Sequence, residues 1–145
     1  MRIAIGSDHG GYDQKQEVIK YLKSKGYEVK DCGTDSKDSC HYPVYGAAVA
    51  RSVASKESDF GIVICTSGEG IAIAANKIKG VRCGIGYNDE VSKLMRQHNN
   101  ANVISFGAKF METKDVIHRI DLFLNTEFEG GRHQTRVDLI SDLEK

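Results

Sequence analysis

The stretch "FGIVICTSGEGIAIAANKI", residues 60–78, changes character in its middle. Residues 60–65, "FGIVIC", are apolar almost throughout, which predicts a strand whose two faces are both covered. Residues 70–78, "GIAIAANKI", read as an apolar-faced helix. Between them runs Cys65-Thr66-Ser67-Gly68-Glu69-Gly70. Glycines there allow a tight turn close to a ligand, and the helix that follows begins with unpaired N–H groups. A buried strand, a glycine corner and a helix together are one unit of a parallel α/β sheet.

The same unit repeats on both sides. "RIAIG" (2–6) is a strand, and 15–25 is a helix with Val18, Ile19 and Leu22 on one face and Gly26 behind it. "YEVKDCG" (27–33) is a second strand. A polar loop leads through Pro43 into a helix over "VYGAAVARSVAS". After the central unit come strand "VRCGIGY" (81–87) and helix "NDEVSKLMRQH", capped by Asn88 or Asp89. "ANVISFG" (101–107) is the fifth strand, 113–125 the next helix, and "HQTRVDLISDLEK" a closing amphipathic segment. The fold class is therefore α/β, a parallel sheet wrapped on both faces with right-handed crossovers and a C-terminal helix.

The chain has 145 residues and reads as a single domain over 1–145. It is 40% apolar and 28% charged, with 20 basic and 20 acidic residues, so no global field draws it to nucleic acid or an anionic membrane. No apolar run reaches the roughly 18 residues of a membrane helix. "MRIAIGSD" reads as a strand entering a polar turn rather than a signal peptide. Cys32, Cys40, Cys65 and Cys83 form no CxxC pair, so zinc and thioredoxin readings find no support, and reduced thiols in the cytoplasm are expected.

Ligands of such sheets bind beyond the C-terminal strand ends. At those ends lie "SDHGG" (7–11), Gly33-Thr34, 65–70, Tyr87-Asn88-Asp89 and Phe106-Gly107. Cys65 has two readings: a small core residue, or a thiolate favoured by the helix amides and able to act as nucleophile or base. The amides of the turn suit an anion or a developing oxyanion. The turn is neither a Walker loop nor GxGxxG. Asp8 either caps the first helix or holds sugar hydroxyls, and His9 can meet an anion or carry a proton. In "RQHNNAN" (96–102), His98 and Asn99 stand at a helix end, either as a favourable cation and turn or as site residues. In "EGGRHQTR" (129–136), Arg132 and Arg136 share one helical face and suit a phosphate, or belong to a solvated helix start. Lys109 adds a cation at the ligand end. Together these groups fit proton transfer on a small phosphorylated substrate.

"SDHGG", "DCGTDS…YP", "ICTSGEGIAIAANKIKGVR", "RQHNNANVISFG" and "EGGRHQTR", in this order over about 1–143, resemble the type B ribose-5-phosphate isomerase and galactose-6-phosphate isomerase family. The resemblance implies a Rossmann-like three-layer α/β/α sandwich with five parallel strands. It implies an aldose–ketose isomerase without metal or cofactor, working through a cis-enediolate in dimers or tetramers with active sites at the subunit interface. On this resemblance Cys65 is the base between C1 and C2. Ser67, with the backbone of Thr66, Gly68, Glu69 and Gly70, forms the oxyanion hole. His98 opens the furanose; Asp8, Tyr42 and Asn99 hold hydroxyls. His9, Lys109, Arg132 and Arg136 hold phosphate, with His133 nearby and the C-terminal arginines reaching over from the partner. Three positions depart from the family: Ser67 for threonine, Lys109 for arginine, and Glu69 for an aliphatic residue. The glutamate base of other members aligns with Ile71, not Glu69. The implied reaction interconverts ribose 5-phosphate and ribulose 5-phosphate; allose or galactose 6-phosphate isomerisation and a non-catalytic sugar-phosphate module are the alternatives.

Overall fold

The computed structural model describes residues 1–145. The strands are β1 (Arg2–Ser7), β2 (Glu28–Asp31), β3 (Phe60–Cys65), β4 (Cys83–Ile85) and β5 (Val103–Gly107). The helices are α1 (Tyr12–Ser24), α2 (Tyr42–Ala54), α3 (Glu69–Asn76), α4 (Asp89–Gln97), α5 (Thr113–Leu124) and α6 (Arg132–Asp142). All pairings are parallel, in the order β2-β1-β3-β5-β4. The expected fold class is the one observed. The strand order reverses between β1 and β3, which opens a crevice beyond their C-terminal ends.

Period-two alternation builds the two helical layers. Ile3, Ile5, Ile62, Ile64, Ile104 and Phe106 face one side, against Val18 and Leu22 of α1 and Val116, Ile120 and Phe123 of α5. Ala4, Val63, Cys65 and Val103 face the other, against Val49, Ala50 and Val53 of α2 and Ile71 and Ala75 of α3. These strand residues are almost fully buried. Removing one such isoleucine to alanine costs about 2–5 kcal/mol.

The boundaries differ from the sequence expectation where the sheet ends. β2 and β4 are shorter than 27–33 and 81–87 because both are edge strands, paired on one side only. α1 begins earlier than residue 15, after a 3-10 turn (His9–Gly11) whose amides Asp8 caps. At the far edge, the Asn76 carboxamide accepts from Cys83 N at 2.8 Å and donates to Cys83 O at 2.9 Å. At the other edge, the buried Lys15 ammonium binds both Asp31 oxygens at 2.9 Å, and Asp31 Oδ1 also accepts from Gly33 N at 2.9 Å. Gly33 O then accepts from Ser7 N at 2.7 Å, and Thr34 N donates to Ser7 O at 2.8 Å, so the end of β1 is pinned.

Tyr21 of α1 donates its phenol to Asp121 of α5 at 2.5 Å. That bond, with burial, pushes the phenol up to about 12. The folded state keeps this proton longer than the unfolded chain, whose phenol titrates near 10. Its contribution is therefore complete below pH 10 and is lost as pH rises toward 12. The difference in Tm between the native chain and Tyr21→Phe is expected to shrink over that interval. A difference constant from pH 8 to 11.5 would show that the bond is not felt.

Candidate active site

Cys65 ends β3, and its side chain belongs to the α2–α3 side of the core. It is 5% exposed. The packing reading of this residue therefore holds, but the sulfur is also engaged: Gly68 N–H donates to Sγ at 3.1 Å. A backbone dipole aimed at sulfur favours negative charge on it. The turn that delivers this amide needs glycine. Gly68 has φ of 81°, and a Cβ there would stand 2.8 Å from the Phe106 carbonyl carbon. Gly107 faces the Ser67 backbone with no room for a side chain, and a Cβ on Gly70 would lie 2.6 Å from the Tyr42 ring. Ser105, a lone hydroxyl in the apolar run of β5, donates to Gly68 O at 2.7 Å and fixes the turn from below.

The expected oxyanion hole is narrower than residues 66–70. Gly68 N is committed to sulfur, and Glu69 N donates to Ser67 Oγ at 3.2 Å. The amides of Thr66, Ser67 and Gly70 have no acceptor within the chain. These three, at the start of α3, are the donors left for an oxyanion.

Asp8 caps the turn that leads into the first helix, one of its two readings. Oδ1 accepts from Gly10 N at 2.9 Å and Gly11 N at 3.2 Å, while the residue stays at the mouth of the β1–β3 crevice. The Gly10 Cα packs directly on the Thr66 side chain, so the two glycine corners touch. His9 Nδ1 accepts from Cys40 N at 3.3 Å, which places the ring proton of the neutral form on Nε2. Tyr42 opens α2, exposed, with its ring over Gly70. Lys109 follows β5; its amide donates to Thr66 O at 3.1 Å. Its side chain, however, lines a separate cavity of about 450 Å³ with Gly10, Asp13, Gln14 and Phe110.

A second cluster forms elsewhere. His98, the residue after α4, stacks on His133 of α6 with centroids 4.3 Å apart and planes 10° from parallel. Glu129 Oε1 lies 3.6 Å from His133 Nε2 and 4.0 Å from His98 Nε2. Burial, then Arg132, His98 and Arg136, hold the His133 imidazolium below its usual range, while Glu129 opposes them. Asn99 follows, its carbonyl accepting from Arg82 Nε at 3.1 Å, and Arg96 binds Asn100 Oδ1 and Ala101 O at 2.8 Å each. These two arginines brace the loop that carries His98 and Asn99.

His98, Glu129 and His133 bring ligand-type atoms within 4.8 Å of one another. Metal ligation takes place in the plane of an imidazole, and two stacked rings have no common in-plane point. The pair must unstack before both could hold one ion.

Asn99 meets the first cluster at one place, a cavity of about 560 Å³ also lined by Ser67, Glu69 and Tyr87. No hydrogen bond, ion pair or ring contact joins the Cys65 cluster to His98, Arg132, His133 or Arg136 within the chain. Sequence reasoning missed Glu129, Ser105, Arg82 and Arg96. Ser105 was marked by its polarity in a buried strand, and Glu129 by its four-residue spacing from His133; the two arginines carry no such signal.

The model of the family described as Ribose/Galactose Isomerase matches residues 3–140. This chain belongs to the ribose/galactose isomerase family. Ribose-5-phosphate isomerase B of Escherichia coli K12 is 42% identical over 144 residues, covering 99% of this chain and 97% of that protein. The Clostridium thermocellum ribose-5-phosphate isomerase B structure superposes with a TM-score of 0.98 at 46% identity, covering 99% of this chain and 97% of that one. The Mycoplasma genitalium ribose-5-phosphate isomerase B, solved with bound ribulose 5-phosphate, gives a TM-score of 0.95 at 39% identity over 99% and 95% of the two chains. As a member of the family, this chain is an isomerase. Its helices include none long and apolar enough to cross a membrane.

Proposed function

We propose that this chain interconverts ribose 5-phosphate and ribulose 5-phosphate in the cytoplasm, with Cys65 as the base. The observation that carries the reading is the Gly68 N–H donated to Cys65 Sγ beside three unused amides at the start of α3. It puts a sulfur base and an oxyanion site on one turn. The aldehyde form binds with its carbonyl oxygen toward the Thr66, Ser67 and Gly70 amides, which lowers the cost of enolisation. Cys65 takes the C2 proton, the cis-enediolate holds its charge against the amides, the O2 hydroxyl proton passes to O1, and Cys65 delivers its proton to C1. Each donor of this type is worth about 3–4 kcal/mol in the transition state, and the positioned base about 10²–10⁴-fold. His98 opens the furanose. His9, Lys109, Arg132 and Arg136 hold the phosphate, and Asp8, Tyr42 and Asn99 the hydroxyls.

The site is completed by a second copy. The separation of the two clusters within a protomer supports this, as do the apolar side chains left exposed along α2, α3 and α6: Val44, Ile73, Leu139 and Leu143. The test of the reaction is turnover of the purified chain on ribose 5-phosphate against allose and galactose 6-phosphates, ranked by kcat/KM. Higher kcat/KM on either hexose phosphate sinks the pentose assignment, and binding without turnover on all three sinks the enzyme. The test of the shared site is complementation. Cys65→Ala and His98→Gln chains, each strongly impaired alone, are expected to recover about a quarter of native activity when co-assembled in equal amounts, because about half of the dimers are mixed and each of those holds one intact site of two. No recovery in demonstrated mixed dimers places both residues in one protomer's site.

A further inference from the structure

Glu129 takes no part in the chemistry set out above, yet both histidines of the second cluster face it. The chain turns sharply at Gly130 and Gly131, whose φ values of 68° and 57° lie in the region that favours glycine. The turn folds Glu129 back over the first residues of α6, so that its Oε1 comes within 3.6 Å of His133 Nε2 and 4.0 Å of His98 Nε2. The Glu129 amide donates to Gln97 O at 3.0 Å, tying the turn to the residue just before His98. His133 is 5% exposed, and its buried Nε2 has no hydrogen-bond partner in the resting chain. Two imidazoles from distant segments thus present the same ring nitrogen to one carboxylate oxygen, while their faces lock together at 4.3 Å.

We propose that Glu129 is the positioning residue of His98: its carboxylate draws the Nε2–H of both rings toward Oε1 and leaves the His98 Nδ1 lone pair to take the anomeric O1–H proton and hand it to the ring oxygen as the C1–ring-oxygen bond breaks. The inference rests on the isomerase reading above. An imidazole's tautomer is set by the partner of its other nitrogen, and carboxylates are the usual partners that fix ring orientation. Both separations exceed a direct hydrogen bond, and such bonds commonly tighten only when a site closes on its substrate. The charges facing the pair agree. Arg132 and Arg136 disfavour the charged form of His133, and Glu129 supplies the opposing charge. His133 then serves as the flat backing that stops His98 from turning.

The chemistry of the two sugars supplies a test that a structural role would not pass. Ribose 5-phosphate is a furanose and must be opened by His98 before enolisation. Ribulose 5-phosphate carries its phosphate on the oxygen that would close a furanose, so it is always open. Exchange of its C1 hydrogen with solvent uses Cys65 and the oxyanion amides without any ring step. In Glu129→Gln, turnover of ribose 5-phosphate is expected to fall about 10–100-fold while C1 exchange of ribulose 5-phosphate in D2O, followed by proton NMR, stays within about twofold. Preserved exchange also certifies a folded site. Equal losses in the two assays, or no loss in turnover, overturns the inference. Absence of both activities in the unmutated chain is a different result, which overturns the isomerase reading and this one with it.

Discussion

Replacing Cys65 with alanine is expected to lower kcat for ribose 5-phosphate by about 10²–10⁴-fold, the range of a positioned proton carrier, while leaving KM nearly unchanged. The split follows from the geometry. The sulfur lies under the glycine turn and takes one amide, whereas the groups assigned to phosphate and hydroxyls stand on other elements. The substitution removes one sulfur from a buried cluster, so a loss of about 1 kcal/mol in stability accompanies it. Circular dichroism on the same sample separates the two effects. The competing base is Glu69, which lines the neighbouring cavity with Ser67 and Asn99. Full activity in Cys65→Ala with loss of activity in Glu69→Gln reverses the assignment.

Gly68→Ala is expected to be nearly as damaging, although it deletes no functional group. The position needs a left-handed backbone, which costs a non-glycine residue about 1–2 kcal/mol. The new Cβ also meets the Phe106 carbonyl carbon at 2.8 Å, and backbone in the middle of a sheet cannot move aside cheaply. Any relief lifts the turn away from β5, breaking the Ser105–Gly68 bond and withdrawing the amide from the Cys65 sulfur. A stability loss of about 2–3 kcal/mol is expected, with kcat down by about 10²-fold from a base and oxyanion amides no longer aligned. Urea melts and steady-state kinetics check it. Native kcat in a destabilised Gly68→Ala would show that the sulfur does not need this amide.

The central strands were legible in the sequence because burial on both faces leaves a plain signature. β3 is the 60–65 run itself, and β1 and β5 differ from the reading only at their ends. The edge strands were overextended because "YEVKDCG" and "VRCGIGY" have the composition of strands, while composition says nothing of how far a neighbour accompanies them. The turns at the strand ends were legible too, since glycine beside cysteine, aspartate and histidine marks where a strand stops and the chain doubles back into a helix. What composition cannot carry is pairing between distant segments. His98 and His133 are each ordinary beside a helix, and only the fold stacks them. The loop amides likewise looked equivalent until Gly68 was found turned toward sulfur. Of the two readings of Asp8 the structure shows the cap, made by one oxygen, while the other accepts no hydrogen bond within the chain.

The Asn76 carboxamide on Cys83 acquires a meaning once the chain is pictured beside copies of itself. A side-chain amide has the same donor and acceptor as a peptide group, and here both are spent on one residue of β4. Asn76 is thus a one-residue counterfeit of a sixth strand. It blocks the ladder where a neighbouring molecule would otherwise extend it, a hazard that edge strands carry by nature. At Cys83 the rim of the sheet therefore offers a neighbouring molecule no open peptide group on which to continue the ladder.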